Sequence, residues 1–174
     1  MIDRELVERF QNGEKSAFDG LVKRHYAGTF NLFMRMAGDE MLADDLCQET
    51  YLRVYRGLTR FRNESEFTTW LYRISVNVAN SHFRKEKLRK IFISDAEVEL
   101  HPAGEEPEDV WTHAGLWPAI EKLPKKQRTV IILRTFQQLP YREVGEIMGI
   151  TENSAKVNFH HAVNNLRKEL GDEE

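Results

Sequence analysis

The sequence holds a single cysteine, Cys47, among 174 residues. That excludes an intramolecular disulfide framework and any zinc site built on several cysteines. Long apolar runs are missing as well. No window approaches the ~18 apolar residues of a membrane span, and the opening MIDRELVERFQNGEKSAF alternates charge with apolar residues instead of presenting an apolar leader segment. A cytoplasmic location without membrane insertion is therefore expected. The chain also lacks GxxxxGKS or GxxxxGKT, a GxGxxG opening a helix after a strand, GxSxG and HExxH. His160 and His161 are adjacent, so on a helix they point in different directions and make a poor metal pair. No metal, cofactor or catalytic constellation is expected.

Positive charge is absent from one stretch. Residues 93 to 113, ISDAEVELHPAGEEPEDVWTH, contain seven acids and no Lys or Arg, whereas residues 1 to 92 hold 16 Lys and Arg against 13 Asp and Glu. Residues 114 to 174 hold nine basic against eight acidic side chains, so the overall net charge of −3 comes from one short segment. That segment also carries Pro102, Gly104 and Pro107 and no sustained helical period. It reads as a linker, either a solvated spacer or a charged element with a binding role.

What is present on both sides is helical patterning. Apolar residues recur at spacings of three and four, and no alternating run is bounded by hairpin turn residues, so the fold class is all-α: two small helical domains joined by an acidic linker. The expected domains are residues 1–92 and 114–174, with 93–113 between them. Helices are predicted near 2–11, 15–36, 41–58 and 65–91, then near 114–122, 125–136, 141–148 and 152–170. Gly13, Gly38, Pro124, Pro140 and Gly149 supply breaks between them.

Three faces stand out. In the helix predicted over 65–91, Phe67, Leu71, Ile74 and Val78 form a core stripe, and Arg73, Asn77, Asn80, Arg84 and Lys87 form a second stripe of cations and amides. Lys85, Arg89 and Lys90 broaden its basic end. Cations suit phosphates and amides suit base edges, although an ordinary solvated face shows the same pattern. Phe61, Arg62, Asn63 and Glu64 precede that helix, with Phe67 and Trp70 following, so polar loop residues and rings able to stack on unpaired bases are offered together. Rings at helical spacing are also ordinary core. In the helix over 41–58, Cys47, Thr50, Tyr51, Val54 and Leu58 share an inward face, leaving Asp45, Gln48, Glu49 and Leu52 opposite. A leucine among acids suggests a protein-binding patch, or merely one exposed leucine.

The most specific local pattern is PYREVGEIMGITENSAKVNFHHAVNNLRKEL. Val144, Ile147 and Met148 form the buried side of a short helix, Gly149 allows the turn, Ile150 plugs the gap and Thr151 caps the next helix. Gly145, with no side chain, lets that next helix approach. This is the arrangement of a helix-turn-helix, whose second helix enters the DNA major groove. Ala155, Phe159, Ala162, Val163, Leu166 and Leu170 make its inner stripe, and Asn153, Ser154, Lys156, Val157, His160, His161 and Asn164 lie outward or at the edge. Val157 suits a thymine methyl group, or is a plain surface valine.

Taken together, ADDLCQETYLRVYRGLTRFRNESEFTTWLYRISVNVANSHFRK (residues 43–85) resembles region 2 of the bacterial extracytoplasmic function (ECF) sigma factors. LPKKQRTVIILRTFQQLPYREVGEIMGITENSAKVNFHHAVNNLRKEL (residues 123–170) resembles their region 4. The resemblance implies a non-enzymatic, dissociable subunit that binds core RNA polymerase, directs it to promoter DNA and is regulated by an anti-sigma factor. By this resemblance Asp44, Asp45, Gln48 and Glu49, with Leu52 beside them, contact the polymerase. Phe61, Arg62, Asn63 and Phe67 belong to a loop that captures a flipped base of the minus-ten element, with Arg73, Asn77, Asn80, Arg84, Lys85 and Lys87 holding the strand and adjoining duplex. Trp70 matches a position that is mainly structural. Asn153, Ser154, Lys156, Val157, His160 and His161 would read the minus-thirty-five element. The linker resembles the segment that threads the polymerase's RNA path. After Lys156 the chain departs from the usual basic pattern, with Val157, Asn158 and His161 in its place. Two other functions suit parts of the pattern: a free-standing helix-turn-helix regulator, which needs no region 2 surface, and a sigma-like decoy inactive on DNA.

Overall fold

The computed structural model describes residues 2–92 and 116–171. The expected linker, the boundary at 113 and the first residues of the helix predicted from 114 lie outside them. Among the described residues every regular element is helical, as the spacing of apolar residues predicts. The chain divides into two compact units, Met1–Gly104 and Glu105–Glu174.

The first unit contains α1 (Asp3–Gln11), α2 (Ala17–Ala37), α3 (Glu40–Leu58) and α4 (Phe67–Phe92). Asp39 starts α3 by accepting a hydrogen bond from the Leu42 amide at 2.7 Å, which satisfies one of the orphan donors at a helix start. The three longer helices pack around Phe33, Ala43, Leu46, Cys47, Val78 and Ala79. Toward the other end of α3, Phe10 of α1 meets Phe18 at 5.9 Å and Tyr55 edge-on at 5.2 Å. Asp3 ties α1 to α2 through Arg24 at 2.6 Å and His25 at 2.8 Å. The inward face predicted for α3 is buried at all five positions: Cys47, Thr50, Tyr51, Val54 and Leu58. On α4, Phe67, Leu71 and Val78 are buried, and the half-buried Ile74 packs against the core cluster.

The second unit contains α5 (Leu116–Lys122), α6 (Lys125–Ile131), α7 (Tyr141–Met148) and α8 (Glu152–Leu170). The single helix predicted over 125–136 is instead α6 followed by a π-helical turn, Ile132–Phe136. The Gln137 amide reaches back five residues to the Ile132 carbonyl at 3.1 Å, and Arg134 Nη1 donates to the Leu139 carbonyl at 3.1 Å. This wider turn lets the chain leave α6 toward Pro140, where α7 begins. Ala119, Ile120, Leu123, Ile131, Ala162 and Leu166 form one buried cluster. Leu170, expected in the inner stripe of α8, is 46% exposed. It is the last residue of the helix, a turn beyond Leu166, where that cluster ends.

Candidate nucleic-acid interface

Between α3 and α4 the chain passes through a loop whose aromatic residues turn inward. Phe61 is 8% exposed, stacks on Trp70 with centroids 4.6 Å apart and meets Phe67 edge-on at 6.3 Å. Phe67 is 3% exposed. Burying such a ring contributes about 1.5–3 kcal/mol, which withdrawing it to stack on a base would forfeit. Phe61 and Phe67 thus support the loop from beneath. Trp70 packs against both rings, and Gly57 makes room for it: a Cβ there would sit 3.1 Å from the indole.

Above this floor Arg62, Asn63 and Glu64 are exposed. Asn63 has φ +54, the left-handed region that Asn tolerates better than most side chains. The Arg62–Glu64 pair at 3.9 Å is almost fully solvated, so its hold on either side chain is weak. Along α4, Asn77, Arg84, Lys85, Lys87 and Lys90 are exposed, whereas Arg73 and Asn80 are half-buried. The Asn80 Oδ1 is buried without a partner. Arg89 is paired with Glu86 at 3.0 Å.

On α3, Asp45, Gln48, Glu49 and Leu52 form an exposed face, with Leu52 57% exposed. Glu49 pairs with Arg53 at 2.5 Å. Asp44 is engaged inside the unit: it accepts from the Tyr26 hydroxyl at 2.7 Å and from Gln48 Nε2 at 2.8 Å. That hydrogen bond to a carboxylate, with burial, pushes the Tyr26 phenol up to about 12. Sequence periodicity gave no hint of Tyr26 at the edge of this face.

In the second unit the turn between α7 and α8 has the predicted geometry. Gly149 sits at φ +67, and Thr151 accepts from the Ser154 amide at 3.0 Å. A Cβ on Gly145 would lie 2.8 Å from the Ile150 carbonyl oxygen. Of the outward residues on α8, Lys156 pairs with Glu152 at 2.8 Å, His160 Nε2 meets Asn164 Nδ2 at 3.0 Å, and Asn158 donates to the Ser154 carbonyl at 2.8 Å. Ser154 is half-buried. Asn153, Val157 and His161, four residues apart, are exposed along one stripe, with Val157 45% exposed.

Two family profiles match the chain: Sigma-70 region 2 over residues 21–89 and Sigma-70, region 4 over residues 115–166. The ECF RNA polymerase sigma factor SigW of Bacillus subtilis is 32% identical over 186 aligned positions, covering 99% of this chain and 98% of the relative. The chain belongs to the ECF sigma factors. The RNA polymerase sigma-H factor of Pseudomonas aeruginosa is 35% identical, covering 84% of this chain and 82% of the relative. Among solved structures, RpoE in complex with the anti-sigma factor NepR from Bartonella quintana matches with a TM-score of 0.73 at 22% identity, over 90% of this chain and 98% of that one. CnrH in complex with the cytosolic domain of CnrY matches with a TM-score of 0.73 at 20% identity, over 99% of each chain. These likenesses support the same fold.

As an ECF sigma factor the protein directs transcription initiation, and its relatives are regulatory subunits of RNA polymerase. Its two profile matches fall on the two units that carry the faces described above. No described helix is long and apolar enough to cross a membrane.

Proposed function

We propose that the first unit binds core RNA polymerase through the α3 face of Asp45, Gln48, Glu49 and Leu52, with Asp44 shaping that face through Gln48. Arg62 and Asn63 then meet an extruded minus-ten base, while Arg73, Asn77, Asn80, Arg84, Lys85 and Lys87 track the separated strand and the adjoining duplex. In the second unit Asn153, Ser154, Lys156, Val157, His160 and His161 read the minus-thirty-five element. The linker follows the RNA path. The protein works in the cytoplasm as a non-enzymatic subunit, released and recaptured by an anti-sigma partner of the kind NepR is for RpoE.

The observation that carries this reading is the segregation of chemistry within one compact unit. Around Leu52 the exposed face of α3 carries Asp45, Gln48 and Glu49, with Arg53 paired to Glu49, whereas the exposed face of α4 is cationic and amide-bearing. An acidic face repels nucleic acid and suits a basic protein surface; a cationic one does the reverse. Promoter melting then needs no hydrolysis. Unstacking a base costs a few kcal/mol, and contacts to the unpaired base and its phosphates, made only in the open state, offset that cost.

The reading is tested by co-elution with sigma-free bacterial core polymerase, comparing the native chain with Asp45→Arg plus Glu49→Arg. The native chain is expected to co-elute and the charge-reversed variant to elute alone with unchanged helical circular dichroism. If the folded native chain fails to bind, the reading gives way to a free-standing DNA-binding regulator.

A further inference from the structure

The base-capturing loop hangs from two ends, and one of them is held by a residue outside both profile matches. Gln11 is the last residue of α1. Its side-chain Nε2 donates to the Leu58 carbonyl at 2.9 Å and to the Phe61 carbonyl at 2.8 Å, 47 and 50 residues away in sequence. Leu58 ends α3, and its carbonyl also accepts from the Phe61 amide at 3.2 Å, so Gln11 adds to a turn the backbone has already begun. One amide with two hydrogens thus fastens both the helix end and the last backbone group before the exposed loop. Among the described residues, no amide of residues 62–66 donates to another backbone carbonyl. The downstream end is set where the Trp70 amide donates to the Glu66 carbonyl at 3.1 Å. Between those two fixtures stand Arg62, Asn63 at positive φ, and Glu64.

Gln11 can act as a fixed post because α1 is itself anchored. Val7 and Phe10 are fully buried, Leu6 nearly so, and Asp3 binds both Arg24 and His25 of α2. We infer that Gln11 is a positioning residue for base capture: its two hydrogen bonds fix the Phe61 backbone, and through it the direction in which Arg62 and Asn63 leave the protein surface. The inference rests on the proposed role of this loop. A loop already held in its binding geometry loses less conformational freedom when it closes on a base. Gln11 therefore contributes to DNA capture without touching DNA, while the α3 face for polymerase is independent of it.

The test uses the full chain bound to core polymerase and a pool of single-stranded DNA with a randomised ten-nucleotide window, the bound strands being sequenced. Gln11→Leu keeps the apolar stem and removes both donors. Gln11→Glu keeps the shape and sets a carboxylate against two carbonyl oxygens. Phe33→Leu, in the cluster that packs the first half of α3, is the control for general destabilisation. Both Gln11 variants are expected to co-elute with polymerase as the native chain does, yet to bind the enriched strand about 5- to 10-fold more weakly, the size of one hydrogen bond. They should also lose base preference at one position of the window. Phe33→Leu should lower the melting temperature and keep that preference. Native-like enrichment and affinity in Gln11→Leu, or equal loss of preference in Phe33→Leu, overturns the inference and leaves the loop's role standing. If the native holoenzyme enriches no sequence at all, the role of the loop itself fails, and the inference with it.

Discussion

Gly145 shows how much a single side chain decides. It is buried on α7, and the three atoms nearest an added Cβ are all backbone: Ile150 O at 2.8 Å, Glu152 N at 3.2 Å and Thr151 C at 3.3 Å. No rotamer change can relieve contacts with main chain. Gly145→Ala should therefore destabilise the second unit by about 1–3 kcal/mol, the usual cost of overpacking, measured as a lower melting temperature for α7 and α8. An unchanged melting temperature would mean that the turn yields freely. This glycine was legible in sequence because the turn around it was. Tyr26, Gln11 and Gly57 were not, because each matters through a partner far along the chain: Asp44, Leu58 with Phe61, and Trp70.

Helix existence follows from period and punctuation, so the spans of α1 to α4, α7 and α8 were readable to within a residue or two. The π-helical turn after α6 was not, since Ile132, Leu133 and Phe136 suit an α-helical stripe equally well. Its wider turn is closed by the Gln137 amide on the Ile132 carbonyl, just before the chain turns toward Pro140. On α8 the periodicity found the outward face, and the structure adds which groups on it are engaged. Lys156 pairs with Glu152, and Val157, Asn158 and His161 carry no permanent positive charge, so on the proposed reading this face offers few cations to phosphate. His161→Arg should add one phosphate-directed cation. Binding of the holoenzyme to its minus-thirty-five duplex should tighten at low salt, and the slope of log affinity against log salt should steepen by about 0.9. Titration over a salt series checks this. An unchanged slope would turn His161 away from the DNA backbone.

At the scale of the whole molecule, net charge misleads and segment charge informs, because the acids that make the total negative fall in residues 93–113. The titration behaviour is divided in a comparable way. Burial pushes the Cys47 thiol up to about 12, helped by the Asp44 carboxylate, and burial likewise pushes the Tyr51 phenol up to about 12. Tyr26 rises to about 12 through its hydrogen bond to Asp44, and burial raises Tyr72 as well. All four groups lie in the first unit. Each holds its proton more tightly folded than unfolded, so its stabilising contribution is complete below the ordinary value, 9.0 for the thiol and 10.0 for the phenols, and is lost as pH rises through the folded value, about 12 for Cys47, Tyr51 and Tyr26. The first unit is therefore expected to unfold in alkali before the second. Residue-resolved amide spectra, recorded after returning samples briefly from each pH under exchange-quenching conditions, should show α2 to α4 losing protection at a lower pH than α6 to α8. Cys47→Ala removes one of the four groups and should carry the first unit's transition upward in pH. Simultaneous loss in both units would mean that the buried thiol and phenols do not govern alkaline stability.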